Sequence, residues 1–140
     1  MQNRTIPPQL VHPGSMIKVQ IRGLLGLYWH FGIVSDNRDY RGVPFVISNS
    51  WANGGAWEES WQAFSGGRAC EIVGFLSSLS PHEVLANARR LSSRPYNLLF
   101  WDCERFARAC QGLPPRSSQM EMTLLAAFAG ALFLRTLASE

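Results

Sequence analysis

The two halves of this 140-residue chain carry different sequence patterns, and that division is the feature that most constrains its fold. Residues 16–76 contain four short β-rich runs, whereas the segments after residue 80 have helical spacing and helix-capping residues. Strands that come first and helices that follow favour an α+β fold, in which a small, mostly antiparallel sheet packs on helices. The length fits a single domain over residues 1–140, because no internal repeat and no long linker divides the chain.

Turn residues separate the predicted strands. Asn, Asp, Gly and Pro within residues 37–44 predict a hairpin between the second and third strands. The glycine-flanked segment 51–67 predicts a loop that contains a short helical turn. Residues 1–14 predict an irregular N-terminal arm, because they are polar and interrupted by prolines. The predicted strands are residues 16–23, 28–36, 44–50 and 68–76.

Two helices are predicted between residues 80 and 112. The first opens on Ser80, followed by Pro81 and Glu83, which is the pattern of a capping box with proline at the first helical position. The second contains "WDCERFARACQG" and ends at Gly112, because glycine favours a helix C-terminus. We expect both helices to cover the predicted sheet.

The C-terminal segment is predicted to be a helix over residues 118–138. Ser118 and Glu121 form a capping-box pattern, and an apolar run over residues 122–134 ends at Arg135. That run is shorter than the roughly 20 residues of a typical transmembrane helix. Three arrangements fit it: a helix packed on the domain, a contact with a membrane surface, or a homo-oligomer interface through residues 122–138.

Composition excludes several functional classes. The net charge of +3 comes from scattered basic residues, so no nucleic-acid-binding tract is predicted. The three cysteines form no CxxC pair and the three histidines are spread along the chain, so neither a metal site nor a cofactor is predicted. The N-terminus has no apolar segment of the secretory type, and we expect a cytoplasmic or membrane-associated protein.

Cys103 is the residue with the clearest potential for chemistry. It lies in the first turn of a predicted helix, where backbone N–H groups stabilise an anion and so lower the pKa of a thiol. Asp102 before it is either the helix N-cap or a carboxylate that raises that pKa. Cys110, about two turns along the same helix, and Cys70, in a predicted strand, are expected to be structural thiols.

His30 lies inside the predicted apolar strand "YWHFGIVSD". A histidine in such a strand is a core residue hydrogen-bonded to the backbone, the base that partners a cysteine, or the remnant of a degraded site. Ser48 or Asn49 on the next strand would orient its ring. Since successive strand side chains point to opposite faces, only one of these two can face His30.

Three segments, read in order, resemble the lecithin:retinol acyltransferase-like proteins, a circularly permuted branch of the NlpC-like papain-fold superfamily. "HFGIVSD" (30–36) resembles that family's histidine strand, and "YNLLFWDCERFARACQG" (96–112) resembles its cysteine segment. "VISNSWANGGAWEESWQAFSGG" (46–67) is similar to the segment between them in bacterial members, which ends in Glu-Glu-x-x-x-x-Phe. The resemblance covers about residues 15–112, and it implies a permuted papain-like fold.

The resemblance also implies thiol chemistry. Cys103 would be the nucleophile that attacks an acyl carbonyl, with His30 as general base and then acid, giving hydrolase or acyltransferase activity through an acyl-enzyme. The implied substrates are acyl lipids, peptidoglycan amides or peptide and protein amides. Three positions depart from the family pattern: Ser48 stands where a second histidine is usual, Asp102 replaces an asparagine, and Arg105 replaces a histidine.

Two further features are compatible with an alternative to enzyme activity. In this alternative the protein is a binding module that has the same fold but does not turn over a substrate. Ser48 carries no charge to stabilise an imidazolium ion. The chain also contains five tryptophans, and four of them either form an aromatic rim that binds substrate or pack within the core and the loop. These four are Trp29, Trp51, Trp57 and Trp101.

Overall fold

A computed structural model describes residues 6–23, 26–99 and 101–139 and confirms the α+β class. Five antiparallel strands form one sheet in the order β4-β3-β2-β1-β5, and four α-helices accompany it. The strands are β1 Met16–Gln20, β2 Trp29–Arg38, β3 Pro44–Ser50, β4 Gly55–Glu59 and β5 Cys70–Gly74. The helices are α1 Trp61–Ser65, α2 Pro81–Leu91, α3 Cys103–Cys110 and α4 Ser118–Ala138.

The sheet is covered on both faces. On one face α2 and α3 pack through Val84 and Phe106 against Ile33 and Ile47. On the other face Phe64 of α1 packs with the alternate strand residues. Because β2 is buried on both faces, its central residues are apolar on both sides, and the strand reads as a continuous apolar run.

Two predicted irregular segments are more ordered than their sequences suggest. The predicted loop 51–67 contains β4, which pairs with β3 after a turn that ends at Gly54, where φ is +70°. The sequence did not predict this strand, because its glycine-rich flanks weaken the alternation of apolar and polar residues by which a strand is recognised. In the predicted N-terminal arm, residues 1–5 lie outside the described residues, whereas Pro8–Leu10 form a 3-10 turn and Val11 is buried in the core.

The predicted helix starts are confirmed with one correction. Ser80 and Glu83 form the capping box of α2, and the Asp102 carboxylate accepts a hydrogen bond from the backbone N–H of Arg105 at the start of α3. The N-cap of α4 is Ser117 rather than Ser118. The Ser118 hydroxyl instead donates to a buried carboxylate on α3, as described below.

The C-terminal helix does not pack on the domain beyond its first turns. Within the part of α4 that the structure describes, Met120 is the one buried residue. An 18-residue window of α4 has a mean hydropathy of 1.4, and only 6% of that window is buried. Of the three arrangements that the sequence leaves open, packing on the domain does not describe this helix, because nearly all of its apolar surface faces outward.

Gly32 allows α1 to approach β2. A Cβ atom at this position would lie 2.6 Å from Val46 Cγ1 and 2.8 Å from Phe64 Cε2. We therefore expect Gly32→Ala to reduce the free energy of unfolding by about 1–3 kcal/mol, because the extra methyl group overpacks this face. Gly55→Ala is the control, since its nearest contact would be 3.5 Å. Urea unfolding of both variants measures the difference, and equal stabilities would contradict this account.

Candidate functional site

Cys103 is the first residue of α3 and its side chain points at the backbone of β2. The Asp102 N-cap fixes the helix start, and the Cys103 thiol donates a hydrogen bond to the Trp29 carbonyl oxygen, with Sγ and O 3.8 Å apart. The backbone N–H of Phe31 also faces the sulfur. The thiol thus contacts backbone groups on both sides of His30.

The backbone groups of Trp29 and Phe31 are available to the thiol because β3 is not paired with β2 beside these two residues. Ile21 N–H donates to the Tyr28 carbonyl in the β1–β2 ladder, so Trp29 and Phe31 direct their N–H and C=O groups to the opposite side. In the described chain β3 pairs with β2 only from the Ile33–Ile47 pair onward. We call the resulting space, beside Trp29 and Phe31, the β2–β3 opening.

The Cys103 thiol is protonated in this arrangement. Burial raises its pKa to about 12, and the Asp102 and Glu104 carboxylates act in the same direction. The Phe31 and Glu104 N–H groups oppose this effect but do not overcome it. The sequence-based expectation of a lowered pKa is therefore wrong for this structure, because desolvation outweighs the field of the helix N-terminus.

His30 contacts a different set of groups. Its Nε2 atom lies 3.2 Å from Ser48 Oγ, and its ring stacks on Phe64 with centroids 5.0 Å apart. Burial, with a contribution from the positive charge of Arg68, lowers the pKa of His30 to about 4. The imidazole is consequently neutral near neutral pH.

The thiol and the imidazole contact different sides of β2, because the thiol lies against the backbone edge of the strand and the His30 ring points to one face. Phe64, on which His30 stacks, belongs to the face covered by α1, whereas α3 covers the other face. No hydrogen bond joins Cys103 to His30 among the residues that the structure describes. The two groups are nevertheless at the same level of β2, because the thiol contacts the backbone of Trp29 and Phe31.

Ser48 links His30 to a carboxyl group. The Ser48 hydroxyl donates to Glu59 Oε1 at 3.4 Å and is fully buried. Burial raises the pKa of Glu59, and the hydrogen bond from Ser48 opposes that rise. Glu59 and Phe64 lie in the Glu-Glu-x-x-x-x-Phe segment of the sequence, and the structure places both around His30. A role for Glu59 beside the histidine was not predicted from the sequence.

Asn49 faces the helix side, as the alternation along β3 requires when Ser48 faces His30. Its Nδ2 donates to the Trp101 carbonyl at 2.8 Å and to the Asp102 carbonyl at 3.4 Å. Asn49 is fully buried, so these bonds are shielded from water. It therefore orients the segment that leads into Cys103 and does not contact the imidazole.

A mostly apolar pocket of about 320 Å³ opens beside Cys103. Its walls come from the end of β1 and start of β2, from the loop before α3, and from the first turns of α4. The lining residues are Ile21, Tyr28, Trp29, Tyr96, Leu98, Asp102, Cys103, Gln119, Met120 and Thr123. A chain of methylene groups fits such a cavity better than a charged or heavily hydroxylated group does.

The four tryptophans have different positions. Trp29 lines this pocket, on the side away from His30. Trp101 is 2% exposed, packs edge-on against Phe106 and lies under the Arg94 guanidinium, so it is a core residue. Trp51 and Trp57 are exposed on the β3–β4 hairpin and do not line the pocket.

The base of α4 is tied to the pocket by residues that sequence reasoning missed. The Gln119 side chain accepts a hydrogen bond from Trp29 N–H and donates to the Trp29 carbonyl at 3.0 Å, as a neighbouring strand would. The Glu104 carboxylate accepts from the hydroxyls of Ser117 and Ser118 at 3.2 Å and 2.9 Å. A glutamine within an apolar helix gave no local signal, because its partner is about ninety residues away.

No cluster of three or more His, Cys, Asp or Glu side chains that could hold a metal ion occurs among residues 6–23, 26–99 and 101–139. No protein-family model matches the chain, and a search of curated proteins finds no significant match.

For the site, the first prediction concerns the reactivity of the free thiol. Alkylation of Cys103 by iodoacetamide should be slow near neutral pH and should rise about tenfold per pH unit above it, because only the thiolate reacts. His30→Ala should leave this profile unchanged, since no hydrogen bond joins the ring to the thiol among the described residues. Peptide mass spectrometry measures the rates. A fast plateau below neutral pH that disappears in His30→Ala would contradict this geometry.

A second prediction follows from the lowered pKa of His30. As the pH falls from about 6.5 towards about 4, the unfolded chain binds a proton at His30 while the folded chain does not. Stability from this residue is thus fully present above about pH 6.5, and about 2–3 kcal/mol of it is lost by about pH 4.5. Urea unfolding at the two pH values should show a smaller loss in His30→Gln, and an equal loss would contradict the burial of a neutral imidazole.

Proposed function

We propose that this protein is a cysteine-dependent hydrolase or acyltransferase that acts on acyl lipids and has the permuted papain-like fold that its sequence resembles. One observation carries the proposal. Cys103 begins α3 and lines an apolar pocket whose far wall is the base of an exposed apolar helix. This combination favours a lipid acyl chain over peptidoglycan or peptide amides, which would require polar partners along the pocket.

The C-terminal helix supports a membrane location. The part of the helix beyond Thr123, residues 124–138, spans about 22 Å, which reaches well into the roughly 30 Å hydrocarbon core of a bilayer. The helix is apolar around its circumference and exposed almost throughout, whereas a helix that binds one protein partner is usually apolar on one face. We infer that α4 anchors the domain in a membrane, and that a homo-oligomer is the alternative occupant of its surface.

The proposed reaction proceeds through a thioester. The Cys103 sulfur attacks the ester carbonyl of the lipid, its proton passes to His30, and the alcohol leaves with that proton. Water or an acceptor alcohol then attacks the thioester, and Cys103 recovers its proton. The Cys103 and Phe31 N–H groups are candidates to stabilise the oxyanion, because both belong to the backbone around the sulfur.

This reaction requires the two groups to meet, and the β2–β3 opening is where they would do so. The thiol already lies against the β2 backbone there, and His30 belongs to that same stretch of strand. Ser48 and Glu59 would hold the ring after it accepts a proton, and the negative charge of Glu59 would replace that of the usual triad acid.

A second candidate function is non-catalytic binding of an acyl chain in the same pocket. It is favoured because no hydrogen bond joins Cys103 to His30 among the residues that the structure describes, and because the thiol is protonated. Such a protein would bind the lipid without forming a covalent intermediate.

Trapping of the acyl-enzyme tests the proposal. Incubation of the full chain with phosphatidylcholine vesicles should place a hydroxylamine-sensitive acyl group on Cys103, because a thioester is the expected intermediate. His30→Ala should slow its formation by about 10²–10⁴-fold, which is the usual contribution of a general base. Mass spectrometry of the Cys103 peptide measures the adduct.

Cys103→Ala should abolish the adduct, and Cys70→Ser is the matched control, because Cys70 lies in β5 outside the pocket. Binding of lipid by the wild type and by Cys103→Ala, without any adduct in the wild type, would contradict catalysis and support the binding module.

A further inference from the structure

Three segments distant in sequence meet at the end of the domain that carries the Cys103 pocket. Ile21 and Tyr28 come from the β1–β2 connection, Leu98 comes from the loop before α3, and Thr123 comes from α4. The Tyr28 hydroxyl is hydrogen-bonded to Thr123, so the first of these segments is fixed to the base of the helix. The mouth of the pocket and the start of the exposed helix therefore lie side by side.

This end of the domain exposes large apolar side chains. Leu27 is 68% exposed, Leu98 is 58% exposed and Leu99 is 47% exposed. We call these three residues the leucine rim. A single exposed leucine is common on soluble proteins, but Leu98 lines the pocket, and Leu27 and Leu99 are each next in sequence to a lining residue. The exposed Leu124 and Leu125 follow the lining residue Thr123 on α4. Several exposed leucines around one pocket indicate that something covers them.

The charges beside the leucine rim are positive. Among the described residues of the two loops, 21–23 with 26–28 and 94–99, the charged side chains are Arg22 and Arg94, and both residues are exposed. Glu121, on the neighbouring turn of α4, is paired with Arg116 at 2.9 Å. The Arg94 guanidinium lies over the Trp101 ring, and Arg22 follows directly on the pocket residue Ile21. Exposed leucines next to an exposed arginine are the combination that binds the interface of an anionic bilayer.

We propose that the leucine rim inserts into the membrane interface, so that the mouth of the Cys103 pocket opens directly into the lipid. Arg22 then contacts anionic lipid headgroups. This inference rests on the proposed function for the anchoring of α4 in the membrane, and it adds that the globular domain lies against the bilayer and is not merely tethered to it. An acyl chain would then enter the pocket without crossing water.

Spin labels test the position of the leucine rim. In full-length protein that carries Cys70→Ser and Cys103→Ala, single cysteines are introduced as Leu27→Cys, Leu98→Cys and Leu99→Cys. Cys110 is fully buried and should not react under native conditions. Leu10→Cys is the matched control, because Leu10 is equally exposed and lies near Arg38, at the opposite end of β2 from Trp29.

Each nitroxide is studied in vesicles of phosphatidylcholine and phosphatidylserine with two relaxation agents. Rim labels should collide more with oxygen, which is enriched in the bilayer, and the Leu10 label should collide more with a water-soluble nickel chelate. Rim labels as exposed to the chelate as the Leu10 label would overturn the proposal, and so would protein that does not float with the vesicles.

Changing the lipid composition of the vesicles tests whether an arginine contacts anionic headgroups. The rim labels should become more exposed to the chelate in vesicles of phosphatidylcholine alone, and Arg22→Gln should weaken the response to phosphatidylserine. If the membrane depth of the rim labels does not depend on phosphatidylserine, the proposed contact with anionic headgroups is wrong. Since the thiol is absent from these variants, lipid-buried rim labels together with no acyl adduct in the wild type would reject the proposed catalysis and leave the docking surface standing.

Discussion

Two buried amide side chains hold the ends of α3, and the candidate site depends on them. At the start of the helix, Asn49 donates to the Trp101 and Asp102 carbonyls. At its end, Gln111 accepts from Leu76 N–H and donates to the carbonyls of Gly14 and Gly74. Both amides are fully buried, so breaking these bonds would leave polar groups unpaired in the core. The helix is thereby fixed across the sheet, and with it the position of the Cys103 sulfur.

The separation of β3 from β2 determines what that sulfur meets. Because β3 is not paired with β2 beside Trp29 and Phe31, their backbone groups need other partners, and the structure supplies the Cys103 thiol and the Gln119 amide. A helix that leads away from the domain is thus joined to the same carbonyl oxygen as the candidate nucleophile. Movement of α4 and the environment of the thiol are physically coupled through Trp29.

The sequence predicted what depends on local patterns. The α+β class, the cap residues Ser80 and Asp102, and the opposite orientations of Ser48 and Asn49 all follow from periodicity and capping rules, and the structure bears them out. The predictions that failed concern features that are determined by residues distant in sequence. The strand β4 is identified by its pairing with β3, and the raised pKa of Cys103 comes from burial by segments across the fold. The Cys–His pairing itself stays a prediction, because its geometry depends on where two strands part.

The resting protonation states explain how such a site would avoid side reactions. A thiol with a pKa of about 12 and an imidazole with a pKa of about 4 are both neutral near neutral pH, so neither is an active group in water. Because no hydrogen bond joins the two groups among the described residues, the proposed proton transfer requires this region to rearrange. The pocket beside the Cys103 sulfur is bounded by α4. An apolar ligand that enters this pocket is therefore the group most able to move the strand region. Activation by an apolar ligand therefore accounts for a buried, protonated nucleophile better than a thiol that is permanently ionised.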